Sequence, residues 1–160
     1  MTTTVTWLGH AALEIDSGDY HLLVDPYLSE NPAAAKGPDQ IQRADYILVS
    51  HGHSDHIGDT QSIAQRTGAT VITNFEIANW LENKGLKTHG QHIGGGFNYP
   101  FGYLKLTNAL HGSGLPDGSY GGNPAGFLLT TQDGKKIYMA GDTGLFEGMR
   151  LLGEEGINLA

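Results

Sequence analysis

Three histidines and an aspartate stand within six residues of the segment SHGHSDHIGD, residues 50–59. They are His51, His53, Asp55 and His56. The segment follows ADYILVS (44–50), an apolar run that is typical of a strand buried on both faces. In extended chain, side chains two residues apart project to the same side, so His51 and His53 can converge on one cation.

The second half of the motif favours a second cation beside the first. Ser54 is predicted to cap a helix, which places Asp55 and His56 in its first turn, facing away from the first pair. Two metal ions about 3.5–4 Å apart can hold a bridging hydroxide and lower its pKa. A lone histidine is usually an ordinary surface or core residue, but H-x-H-x-D-H arises by chance on the order of once in a thousand such chains. We therefore predict a metal site here.

Composition narrows the choice of ligands and partners. The 160 residues carry a formal net charge of -8 and contain no cysteine, so only histidine and carboxylate can hold a transition metal. The acidic balance disfavours nucleic acid as a partner. The N-terminus lacks the features of a signal peptide, and no apolar run reaches membrane-spanning length. A cytoplasmic protein without a membrane partner is the default expectation.

The elements around the motif predict a mixed α/β fold in one domain, residues 1–160. Residues 44–84 read as strand–helix–strand–helix with a parallel sheet. The first helix is expected over 57–66, with Gly68 as its stop, and the second is expected to start from a capping box of Thr73 and Glu76.

The flanking segments predict further strands. A hairpin with its turn at 16–19 precedes the motif. Alternating strands are expected in FNYPFGYLKLTNALH, AGFLLTT and KKIYMAG, with a tight turn at 132–135 joining the last two. A helix is expected in LFEGMRLLGEEG, and INLA (157–160) is expected to begin another strand. Trp7 and Trp80 are expected in the core.

Several segments together resemble a known family. HGHSDH is the signature of the metallo-β-lactamase fold superfamily. TWLGHAALEI, LLVDPYLSENP, NALHGSG, GGNPAGFLLTT and IYMAGDTGLF look like its branch of uncharacterised metal-dependent hydrolases related to L-ascorbate-6-phosphate lactonase. The similarity runs over essentially the whole chain. It implies the αβ/βα sandwich of that superfamily.

The resemblance also implies a ligand set. The first metal would be held by His51, His53 and His111, and the second by Asp55 and His56, with Asp142 bridging the two. His10 would lie beside the metal site and Asp25 would support the ligand cluster, although a turn role before Pro26 is an equal alternative for Asp25. Asn123 is a substrate-binding candidate, with a turn role as its alternative. His21, His89 and His92 have no matched role.

The function implied is hydrolysis of a small ester, lactone or phosphoester by a metal-bound hydroxide, with Asp55 orienting it or taking a proton. Zinc is the first expectation for the divalent ions, and manganese or iron fits the same ligands. One alternative is a non-catalytic metal-binding or inactive truncated form. Another, disfavoured by the acidic charge, is a nuclease of the same fold.

The sequence departs from the family pattern at the second metal. The family uses one more histidine well after the bridging aspartate, and this chain has none after His111. The resemblance thus predicts that the C-terminal part of the second half of the fold is missing. It also predicts either a truncated chain or completion by a C-terminal segment or a homo-oligomer.

Overall fold

A six-stranded sheet forms the first half of the protein, whose computed structural model describes residues 2–160. The strands lie in chain order, with the first three antiparallel and the rest joined in parallel. They are β1 (Thr4–Gly9), β2 (Ala12–Ser17), β3 (Tyr20–Val24), β4 (Tyr46–Leu48), β5 (Thr70–Asn74) and β6 (Lys87–Gln91).

A four-stranded antiparallel sheet forms the second half, in the order β10-β9-β8-β7. Its strands are β7 (Gly96–Tyr99), β8 (Gly102–Asn108), β9 (Ala125–Thr131) and β10 (Lys136–Met139). Four α-helices complete the described residues, 2–160, together with a 3₁₀ turn at Pro38–Gln40. They are α1 (Ser54–Ile57), α2 (Thr60–Thr67), α3 (Phe75–Glu82) and α4 (Gly148–Gly153).

Two apolar cores hold these layers together. Side chains of α2 and α3, such as Ile63 and Ile77, pack on one face of the first sheet. The other face packs on the second sheet, where Ile15 and Leu48 meet Phe127. On the far side of the second sheet, α4 forms a cleft with β8. The order helix, sheet, sheet, helix confirms the predicted α/β sandwich.

The structure corrects the predicted elements around the first hairpin and the motif. TTVTWLGHAALEID is not one strand but two, because the chain reverses at Gly9 and His10, which have φ of 110° and 53°. The predicted helix 57–66 is interrupted at Gly58 (φ 25°), so SDHI forms a short helix of its own. Its N-cap is His53 rather than Ser54.

Later elements show similar differences. The cap of α3 is Asn74 rather than Thr73. Lys87–Gln91 pairs in parallel with β5, a strand that the sequence reading missed because its side chains do not alternate in polarity. The INLA segment contributes an isolated parallel bridge, Leu159 to Ile137, instead of a strand. Trp7 is 62% exposed, so its expected core position is wrong.

Within residues 2–160, no helix combines the length and the apolar character that crossing a bilayer requires.

The cap of α3 generates a testable prediction. The Asn74 side chain accepts a hydrogen bond from Ile77 N and donates to the carbonyls of Gly121 and Asn123. Asn74→Ala should lower the free energy of unfolding by about 1–3 kcal/mol, because the cap is lost and two carbonyls lose a donor. Urea unfolding measures this. The control is Asn83→Ala, the same change at the exposed end of the same helix. Equal unfolding midpoints for the two variants would contradict the assigned role.

Candidate metal centre

The predicted ligands lie together at one edge of the two sheets, each in a turn or loop beside a strand. Asp25 follows β3, the HGHSDH segment follows β4, His111 follows β8, and Asp142 follows β10. His10 lies in the turn between β1 and β2. Since strand ends are held by the sheets while the loops remain open, this edge fixes the side chains and still admits a ligand.

Three imidazoles form the first group. One ligand atom from each of His51, His53 and His111 lies within 4.8 Å of the others. His51 Nε2 and His53 Nδ1 are 3.0 Å apart. Two ligands of a tetrahedral zinc ion, each at about 2.0–2.1 Å, are about 3.3 Å apart. The separation of these nitrogens therefore suits one shared ion.

A second group forms around His56. It contains His51, His56 and Asp142, whose ligand atoms also lie within 4.8 Å of one another. His56 Nε2 is 3.3 Å from Asp142 Oδ1. That nitrogen is fully buried and has no hydrogen-bond partner. A buried polar atom without a hydrogen-bond partner lowers the stability of the fold. A nitrogen left unpaired in this way fits an atom whose partner is a metal ion.

Asp142 faces both groups. Its Oδ1 points to His56, and its Oδ2 is 3.6 Å from His111 Nε2. The loop that carries it is tied to the loop of His111, since Leu110 N donates to Thr143 Oγ1 (2.8 Å) and Gly144 N donates to Leu110 O (3.1 Å). The two loops therefore present His111 and Asp142 as a unit.

Asp25 is buried behind the ligands, with 1% exposure. Its carboxylate accepts from Ser50 N (2.7 Å) and Ser50 Oγ (2.6 Å), and it lies 2.9 Å from His56 Nδ1. A carboxylate at Nδ1 favours the tautomer that carries its proton there, which leaves Nε2 available to bind a metal. Asp25 therefore lies behind the predicted ligand cluster, in contact with one of its histidines.

Burial and neighbouring charges shift the pKa values of His51 and His56 in opposite directions. Burial, reinforced by the nearby His56, lowers the pKa of His51 to about 4. His51 is therefore neutral at pH 7, the form that binds metals. Burial also disfavours charged His56, but the hydrogen bond to Asp25 and the carboxylates of Asp142 and Asp55 outweigh it and raise its pKa. A cation at this position would compete with a proton for Nε2.

Two glycines and a serine let the backbone pass close to the cluster. A Cβ on Gly52 would lie 3.1 Å from Gly114 O, and one on Gly141 (φ 62°) would lie 3.0 Å from Ala125 O. Ser113 Oγ accepts from Gly52 N and donates to Gly121 O. Sequence reasoning missed the supporting roles of Ser50, Ser113 and Thr143, because hydroxyl residues beside a motif carry no distinguishing pattern.

The other predicted positions lie as follows. Asn123 is exposed and lines a cavity with Asn74, Glu76, Gln91, His92 and Ile93. His21 lies by Asp16 and Glu14, and His89 Nδ1 lies 2.9 Å from the Tyr99 hydroxyl. His92 stacks on Phe75. These three histidines are outside the ligand groups found in residues 2–160.

Comparison with known proteins agrees with this geometry. A family model described as "Beta-lactamase superfamily domain" matches residues 20–158. The chain belongs to this family. This beta-lactamase superfamily domain is similar to a "UPF0173 metal-dependent hydrolase" of Carboxydothermus hydrogenoformans, with 53% identity over 152 residues. The match covers 94% of this chain and 66% of that protein.

Two further relatives extend the comparison. A UPF0173 metal-dependent hydrolase of Thermus thermophilus is 44% identical, with 98% of this chain and 68% of that protein covered. Igni18, a metallo hydrolase of Ignicoccus hospitalis, superposes with a TM-score of 0.85 at 34% identity, over 96% of this chain and 66% of that one. The chain therefore spans about two thirds of the length of these beta-lactamase superfamily relatives.

The position of Asp25 generates a prediction for this centre. Asp25→Asn should weaken metal binding about 10- to 100-fold, because the amide no longer fixes the His56 proton as a carboxylate does. Titration of metal-free protein with Zn²⁺ in a competing chelator measures the affinity. The control, Asp39→Asn, changes an exposed aspartate of the 3₁₀ turn. Unchanged affinity in an Asp25→Asn variant with native circular dichroism would refute the supporting role.

Proposed function

We propose that this protein is a metal-dependent hydrolase with two divalent ions at the cluster, acting on a small ester, lactone or phosphoester. The observation that carries the proposal is the convergence of histidine and carboxylate ligand atoms from separate loops into adjoining groups, with Asp142 facing both. The names of its relatives as metal-dependent or metallo hydrolases support the same reaction class.

The residues fit such ions in number and type. His51, His53 and His111 would hold the first, His56 and Asp55 the second, and Asp142 both. Bound ions would activate a water molecule and polarise the bond that it attacks. Imidazole and carboxylate ligands suit zinc, and they also suit manganese or iron.

Asp55 is the candidate to orient the attacking water and take its proton. Its side chain is 46% exposed, so it can reach a substrate as well as the cluster. His51 and His56 are fully buried, so they offer no surface for a substrate to contact. The exposed side of the cluster, formed by Asp55, His111 and Asp142, is therefore where a substrate would bind.

The proposed substrate is a small molecule rather than a nucleic acid. The formal net charge is -8, and a polyanionic strand would be repelled by most of such a surface. Asn123, in the cavity beside the loop of residues 121–124, is a candidate to contact the substrate. Its backbone carbonyl accepts a hydrogen bond from Asn74 Nδ2, which holds the loop in place. Its side chain is exposed.

Metal content tests the ligand assignment. Elemental analysis should find about two ions per chain in the unchanged protein, and His51→Ala and Asp142→Ala should each lower this number. His51 belongs to two of the ligand groups, and Asp142 lies beside both His56 and His111. His92→Ala and Asp39→Ala are matched controls outside the groups. Unchanged metal content in both site variants would overturn the assignment.

Turnover tests the reaction. Hydrolysis of chromogenic esters, lactones and phosphodiesters should be detectable, should disappear on chelation, and should fall at least about 100-fold in Asp55→Asn, given the costs of losing residues around a metal. Two bound ions without turnover of any of these compounds would favour the non-catalytic alternative. Salt-sensitive cleavage of RNA or DNA would favour the nuclease alternative instead.

A further inference from the structure

A polar cavity of about 260 Å³ lies at the carboxyl ends of β5 and β6. Asn74 is the last residue of β5, and Gln91 is the last residue of β6. Both strands run parallel to β4, which precedes the HGHSDH segment. Because neighbouring strands are about 4.8 Å apart, the ends of β4 and β6 are separated by about 10 Å. The residues that line the cavity are Asn74, Glu76, Gln91, His92, Ile93 and Asn123.

The loop of residues 121–124 connects this cavity to the metal centre. The carbonyl of Gly121 accepts hydrogen bonds from Asn74 Nδ2, on the cavity side, and from Ser113 Oγ. Ser113 Oγ in turn accepts from Gly52 N, which lies between two of the proposed metal ligands. Ligands of open α/β sheets bind outside the carboxyl ends of the strands. One small molecule could therefore contact the metal centre and the cavity together.

Gln91 offers the cavity a hydrogen-bond acceptor. It is 7% exposed, and its Oε1 is buried without a partner among residues 2–160. Its Nε2 donates to the Tyr99 hydroxyl (2.8 Å), which lies 2.9 Å from His89 Nδ1. Burial raises the pKa of Tyr99, so its hydroxyl keeps the single proton that it can donate to His89. The Gln91 amide is thereby committed through its nitrogen, and the oxygen is left for a ligand.

Glu76 adds a carboxylate to the same cavity. It lies in the first turn of α3 and is half-buried. A Cβ on Gly122 (φ 72°) would clash with Glu76 Oε2, so the carboxylate lies directly against the loop of residues 121–124. Among the described residues, no lysine or arginine lines the cavity. Both polar ends of the Asn74 amide are already used within the protein. The cavity is therefore rich in acceptors and lacks a positive charge.

We propose that this cavity binds a protonated amino group of the substrate, with Glu76 and Gln91 Oε1 as its acceptors. An ammonium group carries three donors, no acceptor and the charge that Glu76 lacks as a partner. A neutral hydroxyl would leave that charge uncompensated, and a phosphate would be repelled by it. The inference rests on the proposed hydrolase function and narrows its substrate class. The substrate would be a small ester, lactone or phosphoester with an amine held away from the bond that is cleaved.

The alternative is a purely structural role for these two residues. A carboxylate in the first turn of a helix stabilises the helix dipole, and a polar cavity can simply hold water. Under that alternative, replacing Glu76 would affect all substrates equally. A test must therefore compare a substrate that carries an amine with a matched substrate that does not.

A pair of rigid chromogenic esters makes this comparison. They are para-nitrophenyl para-(aminomethyl)benzoate and para-nitrophenyl para-methylbenzoate, which share the ring and the leaving group. The ratio of kcat/KM for the amine ester to that for the neutral ester should fall at least about tenfold in Glu76→Gln, because a hydrogen bond to a charged group is lost. An unchanged ratio, or an equal loss for both esters, would overturn the proposal.

Glu82→Gln is the matched control for this measurement. It removes the same charge at the exposed end of the same helix. The ratio for the two esters should stay within about twofold of that of the unchanged protein, since exposed charges contribute little. A fall as large as that in Glu76→Gln would show a general effect of charge and overturn the assignment to the cavity.

A binding measurement gives a readout that does not depend on turnover. In two-dimensional proton–nitrogen NMR, the side-chain amide signal of Gln91 should shift on titration with benzylamine and not with benzyl alcohol. Glu76→Gln should require at least about tenfold more benzylamine for the same shift. No shift in the unchanged protein, or an equal response to the alcohol, would overturn the proposal.

The outcomes separate this proposal from the proposed function. Glu76-dependent binding of benzylamine without hydrolysis of either ester would support the amine site and contradict the proposed hydrolysis of such esters. Hydrolysis of both esters with an unchanged ratio in Glu76→Gln, and no response of Gln91 to benzylamine, would overturn the amine site alone.

Discussion

The buried carboxylate of Asp25 is the constraint on which the metal centre depends. Asp25 is 1% exposed, and Ser50 N, Ser50 Oγ and His56 Nδ1 lie within hydrogen-bond distance of its carboxylate, as a buried polar group requires. These donors lie in the loop after β4 and in α1, whereas Asp25 follows β3. These hydrogen bonds therefore connect the ends of the parallel strands β3 and β4 to the short helix α1. Their geometry fixes where His51 and His56 can lie.

The crowded imidazoles of the cluster lower the stability of the fold, and the rest of the protein must offset this. His51 contacts three other rings, with centroids 4.1–5.0 Å away, and burial keeps it neutral. An unpartnered His56 Nε2 adds to the cost. The two apolar cores must offset this, since they hold the strands whose ends carry the cluster. Instability at the centre is thus tolerated because the layers beneath it are well packed, as is common where function and stability conflict.

Much of the centre was predictable from local sequence, and the remainder was not for identifiable reasons. His51 and His53 follow a buried strand, so their common direction results from the two-residue period of extended chain. His111 and Asp142 could be assigned only through the family resemblance, since their neighbours in space lie far away in sequence. The place of His10 depends on a left-handed turn at a residue other than glycine, which no side-chain pattern indicates. The break in the helix at Gly58 was missed for a different reason, since an isolated glycine inside a helical pattern is often tolerated.

The two proposed metal positions are chemically unequal, and the difference follows from the residues that would line each of them. The first is lined by three imidazoles, one of them neutral and fully buried. The second combines imidazole with the carboxylates of Asp55 and Asp142, both of them about half-exposed. Neutral nitrogen ligands favour zinc, whereas added carboxylates and access to water make a position more tolerant of manganese or iron. The first position should therefore be the more selective, and the second, which lies beside the proposed substrate surface, the more open to exchange and to chemistry.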